Sequence, residues 1–138
     1  MQEDVAATYR RYVDAFNAHD FDALEDFLAS EVVFEWGGVM DDLVGRDAFF
    51  AFYREAWDHF DERIEARVVW AEGDGLRAWI DTELRVFRDW PDCPIRPFAA
   101  GDVVRVSGLM DYRFRNRQIV RIADADPPSE FESPTESQ

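Results

Sequence analysis

The residues able to do chemistry in this 138-residue chain are unevenly supplied: 30 Asp and Glu, two histidines (His19 and His59), one cysteine (Cys93), four tyrosines, and 15 basic residues that are all Arg. Cys93 has no second cysteine to bridge and no CxxC partner for a metal site. The chain shows no clustered metal-ligand spacing, no nucleophile elbow and no glycine-rich phosphate loop. The expected metal and cofactor complement is therefore none, which leaves proton transfer by carboxyl, hydroxyl and imidazole groups. His59 follows the most aromatic segment, with Phe49, Phe50, Phe52, Tyr53 and Trp57 before it and Phe60 after it. There it either reaches a pocket mouth or simply complements a helix C-terminus. His19 lies in the turn Asn17-Ala18-His19-Asp20 and reads as structural. Asp81, Glu83 and Arg85 recur at every second residue, so on a strand they share one face, a pattern suited to a surface laced with ion pairs.

Periodicity supplies the elements that must hold these groups. Val5, Tyr9, Tyr12, Val13 and Phe16 recur at three and four residues, which predicts a helix over 5–18. Asp20 is suited to cap a short second helix carrying Phe21, Leu24, Phe27 and Leu28. Val32 to Trp36 reads as a strand stopped by Gly37-Gly38, and Gly45-Arg46-Asp47 opens a third, aromatic helix that carries Phe49, Phe50, Phe52, Tyr53, Trp57 and Phe60. Beyond Asp61 the period changes to two. Ile64, Ala66, Val68 and Trp70 form one face of a strand that ends at the turn Gly73-Asp74-Gly75. A long strand follows over 76–87, with Ala78, Ile80, Thr82, Leu84 and Val86 on one face and Trp79, Asp81, Glu83, Arg85 and Phe87 on the other. Trp90 to Gly101, with Pro91, Pro94 and Pro97, is a connection because proline cannot donate to a ladder. Strands over 103–115 and 118–125, joined at Asn116-Arg117, complete the chain. The predicted class is α+β, three N-terminal helices packed in a strongly curved, mostly antiparallel sheet. Residues 1–126 form one domain, and the acidic, Pro- and Ser-rich 127–138 read as a disordered tail.

Composition agrees with one domain. With 47% hydrophobic and 15% aromatic residues, a chain of this size buries roughly 68% of its unfolded surface without disulfide or metal staples. The net charge of −15 repels phosphate backbones and anionic bilayers, which disfavours nucleic acid and membrane partners. The stretch Met1 to Ala7 is acidic and lacks an apolar signal core. No apolar run approaches the ~20 residues of a membrane span, so the expected location is the cytoplasm. Only Glu130, Glu132 and Glu136 lie beyond residue 126, so the acidity belongs to the domain itself. Such a surface suits a cell interior rich in salt, where screening relieves self-repulsion; an Arg-favouring genome and an ordinary acidic protein give the same composition. Thermal melts in dilute buffer and in molar KCl separate the two: a large rise with salt is the halophilic outcome, and equal melting removes it.

Against this background the segments Phe16-Asn17-Ala18-His19-Asp20-Phe21-Asp22-Ala23-Leu24, Val32-Val33-Phe34-Glu35, Gly45-Arg46-Asp47-Ala48 and Tyr112-Arg113-Phe114-Arg115-Asn116-Arg117-Gln118-Ile119-Val120 resemble the SnoaL-like group of the nuclear transport factor 2-like superfamily, over residues 5–126. The resemblance implies a cone, a bent sheet wrapped by three helices around an apolar pocket. It also implies a homodimer through the outer sheet face, where Trp79 and Phe87 would want cover. Members include polyketide cyclases, ketosteroid isomerases, epoxide hydrolases, dehydratases and proteins without known activity, so the fold alone does not give the reaction.

Carried over by position, the isomerase tyrosines match Tyr12 and Tyr53, hydroxyl donors for a developing oxyanion. The isomerase base falls on Trp36 and its second aspartate on Met110, which argues against that subgroup. The cyclase pattern Ile-Val-Glu-His-Trp-Asp meets Ile119-Val120-Arg121-Ile122-Ala123-Asp124, so Asp124 matches the acid. An aspartate facing an apolar pocket has its pKa raised by desolvation and suits proton exchange near neutrality. The epoxide hydrolase Asp-Arg-Asp group would need Arg85 with Asp81 or Glu83, and here the acids precede the arginine. A pair of His59 with Asp124 would make a base and its orienting partner. The resemblance thus implies chemistry at Asp124, Tyr12, Tyr53 and His59, and a small apolar molecule held by Trp36, Phe49, Trp57, Met110, Tyr112 and Ile122. Two classes stay open: a cofactor-independent isomerase, cyclase, dehydratase or epoxide hydrolase, and a binding domain without chemistry.

Overall fold

The computed structural model describes residues 4–125; the proposed tail 127–138 lies outside them. Helix α1 (Val5–Asn17) starts at Asp4, whose carboxylate accepts the Ala7 N–H at 2.8 Å, and buries Tyr9, Tyr12 and Phe16. Helix α2 (Phe21–Phe27) is capped by Asp20, as its sequence position suggested, through the Ala23 N–H at 3.1 Å. Between the two helices His19 adopts a left-handed φ of 54°. Helix α2 then runs straight into strand β1 (Leu28–Phe34), four residues earlier than the predicted start, because Leu28 and Ala29 are fully interior. A two-residue strand β2 (Leu43–Val44) pairs with β1 and is too short to leave any periodicity.

Helix α3 (Arg46–Ala56) begins after Gly45, whose φ of 96° a side chain would resist. It stops at Ala56, so Phe60, read as part of the aromatic helix, instead opens strand β3 (Phe60–Glu72). Strands β4 (Gly75–Val86), β5 (Val103–Arg115) and β6 (Gln118–Asp124) follow. Asn116 and Arg117 both have positive φ, 53° and 66°, as a twist-matched two-residue hairpin turn demands.

The strand order is β2-β1-β6-β5-β4-β3, antiparallel throughout except where β1 runs parallel to β6. The sheet is thus mixed, curved and unclosed. Register shifts at Val68/Trp70 and Arg113/Phe114 add local bends. Its inner face carries Ile64, Ala78, Ile80, Leu84 and Val86. The outer face carries a polar ladder: Glu83 accepts from Arg85 and Arg105, and Asp81 accepts from the Trp79 indole and the Ser107 hydroxyl. At one end, α1 and α2 with β1 and β6 form a solid core around Leu24, Leu28, Leu76 and Ile119, each 0% exposed. The other end is left hollow. No helix among the described residues is long and apolar enough to cross a membrane.

Candidate functional site

The hollow is a half-open cavity of about 440 Å³, bounded by α1, α3, the end of β1, the inner faces of β3 to β6 and the β4–β5 connection. Its volume lies in the range of ~300–1,000 Å³ usual for small-molecule sites. The walls are mostly apolar. Val39 and Val106, each more than half exposed, sit on it as well, so the entrance is greasy.

Set into that apolar lining is Glu62, which the sequence reading did not single out. Strand parity carries it inward, since Phe60, Glu62 and Ile64 alternate with the outward Asp61, Arg63 and Glu65. Its carboxyl Oε1 accepts the Trp57 indole N–H at 3.1 Å. Desolvation pushes its pKa up to about 7, and the Trp57 hydrogen bond, which favours the charged form, pulls the other way. Trp57 is held in turn by His19, whose ring stacks on it at 3.9 Å and 6° and whose Nε2 meets the Glu62 carbonyl at 3.0 Å. Asn17 clamps the next inward residue, with Oδ1 accepting from Ile64 N and Nδ2 donating to Ile64 O. The α1–α2 turn therefore positions β3 and the Glu62 carboxyl.

Three tyrosines share the cavity with Glu62. Tyr12 and Tyr53 are buried, and desolvation raises both pKa values far beyond the ordinary phenol range, with Glu62's negative charge adding to the effect. Tyr112 is pushed up to about 12, again mainly by burial. All three are neutral hydroxyls at any physiological pH, hydrogen-bond donors beside a carboxyl that titrates near 7.

Trp36, Met110, Tyr112 and Ile122 line the cavity with Tyr12, Tyr53 and Asp124. Asp124 stands at the rim, exposed, its Oδ2 close to where a Cβ on Gly37 would lie, with its pKa raised by partial desolvation. Trp36 contributes a buried indole N–H that has no protein partner. Phe49 and Trp57 are not on the cavity wall: Phe49 is packed behind it against Phe34 and Tyr53, and Trp57 acts through Glu62. His59 is turned elsewhere, with Nδ1 on the Asp89 carbonyl at 3.1 Å and its ring stacked on Trp90, so no pair with Asp124 forms. Asp81, Glu83 and Arg85 lie on the outer ladder, which removes the epoxide hydrolase arrangement considered for them.

One consequence for pH follows at Trp57. Because its N–H favours the Glu62 carboxylate, Trp57→Phe should raise the Glu62 pKa above about 7. The acidic limb of any base-dependent pH–rate profile then moves to higher pH. Titration of the Glu62 carboxyl by ¹³C NMR checks this, and an unchanged or lower pKa contradicts it.

A family model for the SnoaL-like domain matches residues 9–122. No curated protein matches the chain. Among solved structures, a candidate polyketide cyclase from Xanthomonas campestris superposes with a TM-score of 0.76 at 23% identity, covering 94% of each chain. An LEH-like epoxide hydrolase of Mycobacterium tuberculosis gives 0.69 at 14% identity, over 87% of this chain and 80% of that one. A further M. tuberculosis protein, solved in complex with estradiol-17β-hemisuccinate, gives 0.72 at 14% identity, over 92% and 97%. At these identities the structures speak for the fold, and the family model for membership: the chain belongs to the SnoaL-like domain family, with the nuclear transport factor 2-like fold.

Proposed function

We propose that this protein is a cofactor-independent enzyme that moves a proton on a small, largely apolar, carbonyl-bearing molecule, with Glu62 as the acid–base group. The observation that carries this reading is a carboxyl with a pKa near 7, hydrogen-bonded by Trp57 and set in an apolar cavity beside three neutral tyrosine hydroxyls. A group that titrates at the working pH is present in both forms and can take and return a proton in one cycle. The Glu62 carboxylate removes a proton from the carbon next to a carbonyl. The electron pair moves into the carbonyl π system, and the enolate oxygen accepts a hydrogen bond from Tyr12, Tyr53 or Tyr112. Where a double bond adjoins the α-carbon, Glu62 returns its proton to the far end of the dienolate, which gives an isomerisation; where the enolate carbon attacks a second carbonyl, Glu62 gives its proton to the new alkoxide, which completes a ring closure. No co-reactant is consumed. Asp124 at the rim is a second carboxyl for proton exchange with solvent.

Tetralone, a bicyclic aromatic ketone, tests this through α-proton exchange with D₂O followed by NMR. The wild type should accelerate exchange, and Glu62→Gln should lose about 100-fold or more of that acceleration. No acceleration by the wild type favours the rival reading of a binding domain without chemistry, and an undiminished one in the variant removes Glu62 as the acid–base group. A second copy of the chain would pack on the outer sheet face, where Phe87 is 51% exposed; sedimentation of monomer alone removes that pairing.

A further inference from the structure

Arg96 is the only cation among the described residues that line the cavity. It projects from the β4–β5 connection, flanked by Ile95 and Phe98, which also line the cavity. Its side chain is exposed, while the backbone that carries it is held in place. Trp90 and Phe98 exchange backbone hydrogen bonds at 2.8 and 3.0 Å, Asp89 Oδ1 accepts from Ala100 N, and Asp102 Oδ2 accepts from Ala99 N. Pro94 and Pro97 stiffen the segment, and the guanidinium lies over the Phe98 ring at 5.2 Å from its centroid.

The acids on the same cavity leave this charge available. Glu35 is occupied by a bidentate pair with Arg121, both contacts at 2.9 Å. Glu62 is about half protonated near pH 7. Asp124 forms no salt bridge with Arg96. In a protein of net charge −15, an arginine carried on a fixed backbone at the edge of a mostly apolar cavity is a selective feature, because the overall field works against every anion that enters.

Resting on the small-molecule pocket argued above, we infer that the natural ligand carries a carboxylate on an apolar ring body, with the carboxylate on Arg96 and the rings in the cavity towards Glu62. A guanidinium fork matches a carboxylate in two parallel hydrogen bonds. One arginine balances one negative charge, and a phosphate dianion would leave a second charge facing Asp124 and the acidic surface. The reacting carbonyl then belongs to the ring body, and the carboxylate sets its orientation.

The test is calorimetric binding of two pairs of probes that differ chiefly in the anionic group: estradiol-17β-hemisuccinate against its methyl ester, and naphthoate against naphthol. For the wild type, the acid should bind about tenfold more tightly than its neutral counterpart in at least one pair, and the preference should shrink as KCl is raised. In Arg96→Gln the preference should vanish while the neutral probe binds as before. Equal wild-type affinity for acid and neutral probe, or a preference retained in Arg96→Gln, overturns the role of Arg96 and leaves the pocket reading standing. If none of the four probes binds, both readings fall together. Glu62→Gln serves as a control: it should keep the acid preference, which separates this inference from the proposed chemistry.

Discussion

Glu62→Gln should melt several degrees above the wild type at pH 8, with the gap closing as the pH falls to about 4. In the folded protein desolvation moves the Glu62 pKa from 4.5 to about 7, so the native state holds this proton more tightly than the unfolded chain does. Between those two values the native state binds more protons, and its stability falls as pH rises through that window. Above pH 7 the charged carboxylate in its apolar wall costs the full difference, an upper figure of about 3 kcal/mol at about 1.4 kcal/mol per unit. Glu62 is only partly buried, because one side faces the cavity, and water there reduces the cost to about 2 kcal/mol. Glutamine has the same shape and keeps an oxygen for the Trp57 indole, but carries no charge. The expected gap at pH 8 is roughly 5–10 °C for a domain of this size. A variant that gains stability while losing proton exchange would mark Glu62 as a group kept for chemistry at a cost to the fold. A variant less stable than the wild type at pH 8, or a gap that does not change with pH, would show that the carboxylate is not desolvated as described.

The same residue shows what the sequence could and could not reveal. Strand parity beyond residue 61 was plain, and counting back two places from Ile64 lands on Glu62, a carboxylate on an apolar face. The signal was there. It was lost because Phe60 read as the last residue of an amphipathic helix, and the three-residue break at Trp57–His59 carries neither glycine nor proline to announce it. Capping was legible at Asp20 because a side-chain oxygen three residues before a free N–H is a local event. Asp4 at the head of α1 carried the same cue without being read. The parallel pairing of β1 with β6 was beyond reach, since about two thirds of the chain separates Leu28 from its partner Ile119 and nothing local encodes it. His59 misled for a related reason. Its position after a helix fits both a pocket mouth and a loop clamp, and only the tertiary placement of Asp89 and Trp90 decides for the clamp. Met110, Tyr112 and Ile122 lie on regular strands of the cavity wall; alternation grouped Met110 with Tyr112 on one face, and only the resemblance, not alternation, turned these residues towards a pocket.

Where the solid core ends and the hollow begins should be measurable with two isoleucines of the same sheet. Ile119, on β6 opposite Leu28, is 0% exposed and surrounded by packed side chains. Ile80, on β4, is 7% exposed and faces the cavity. Truncating either to alanine removes the same methyl and methylene groups, so the transfer cost is alike. The cavity cost is not. At Ile119 the structure must enclose a new void, whose lining loses contacts outright, and the total should approach 4 kcal/mol. At Ile80 the lost volume joins a space that already exists and is open to water, so the change should cost about 1–2 kcal/mol. Denaturant midpoints at constant slope give both numbers. The functional readout should reverse this order: Ile80→Ala enlarges the ligand cavity and should change the affinity for naphthol, whereas folded Ile119→Ala should bind it as the wild type does. Equal destabilisation at the two positions would mean that Ile80 packs against solid interior, and the cavity described above would then have no floor.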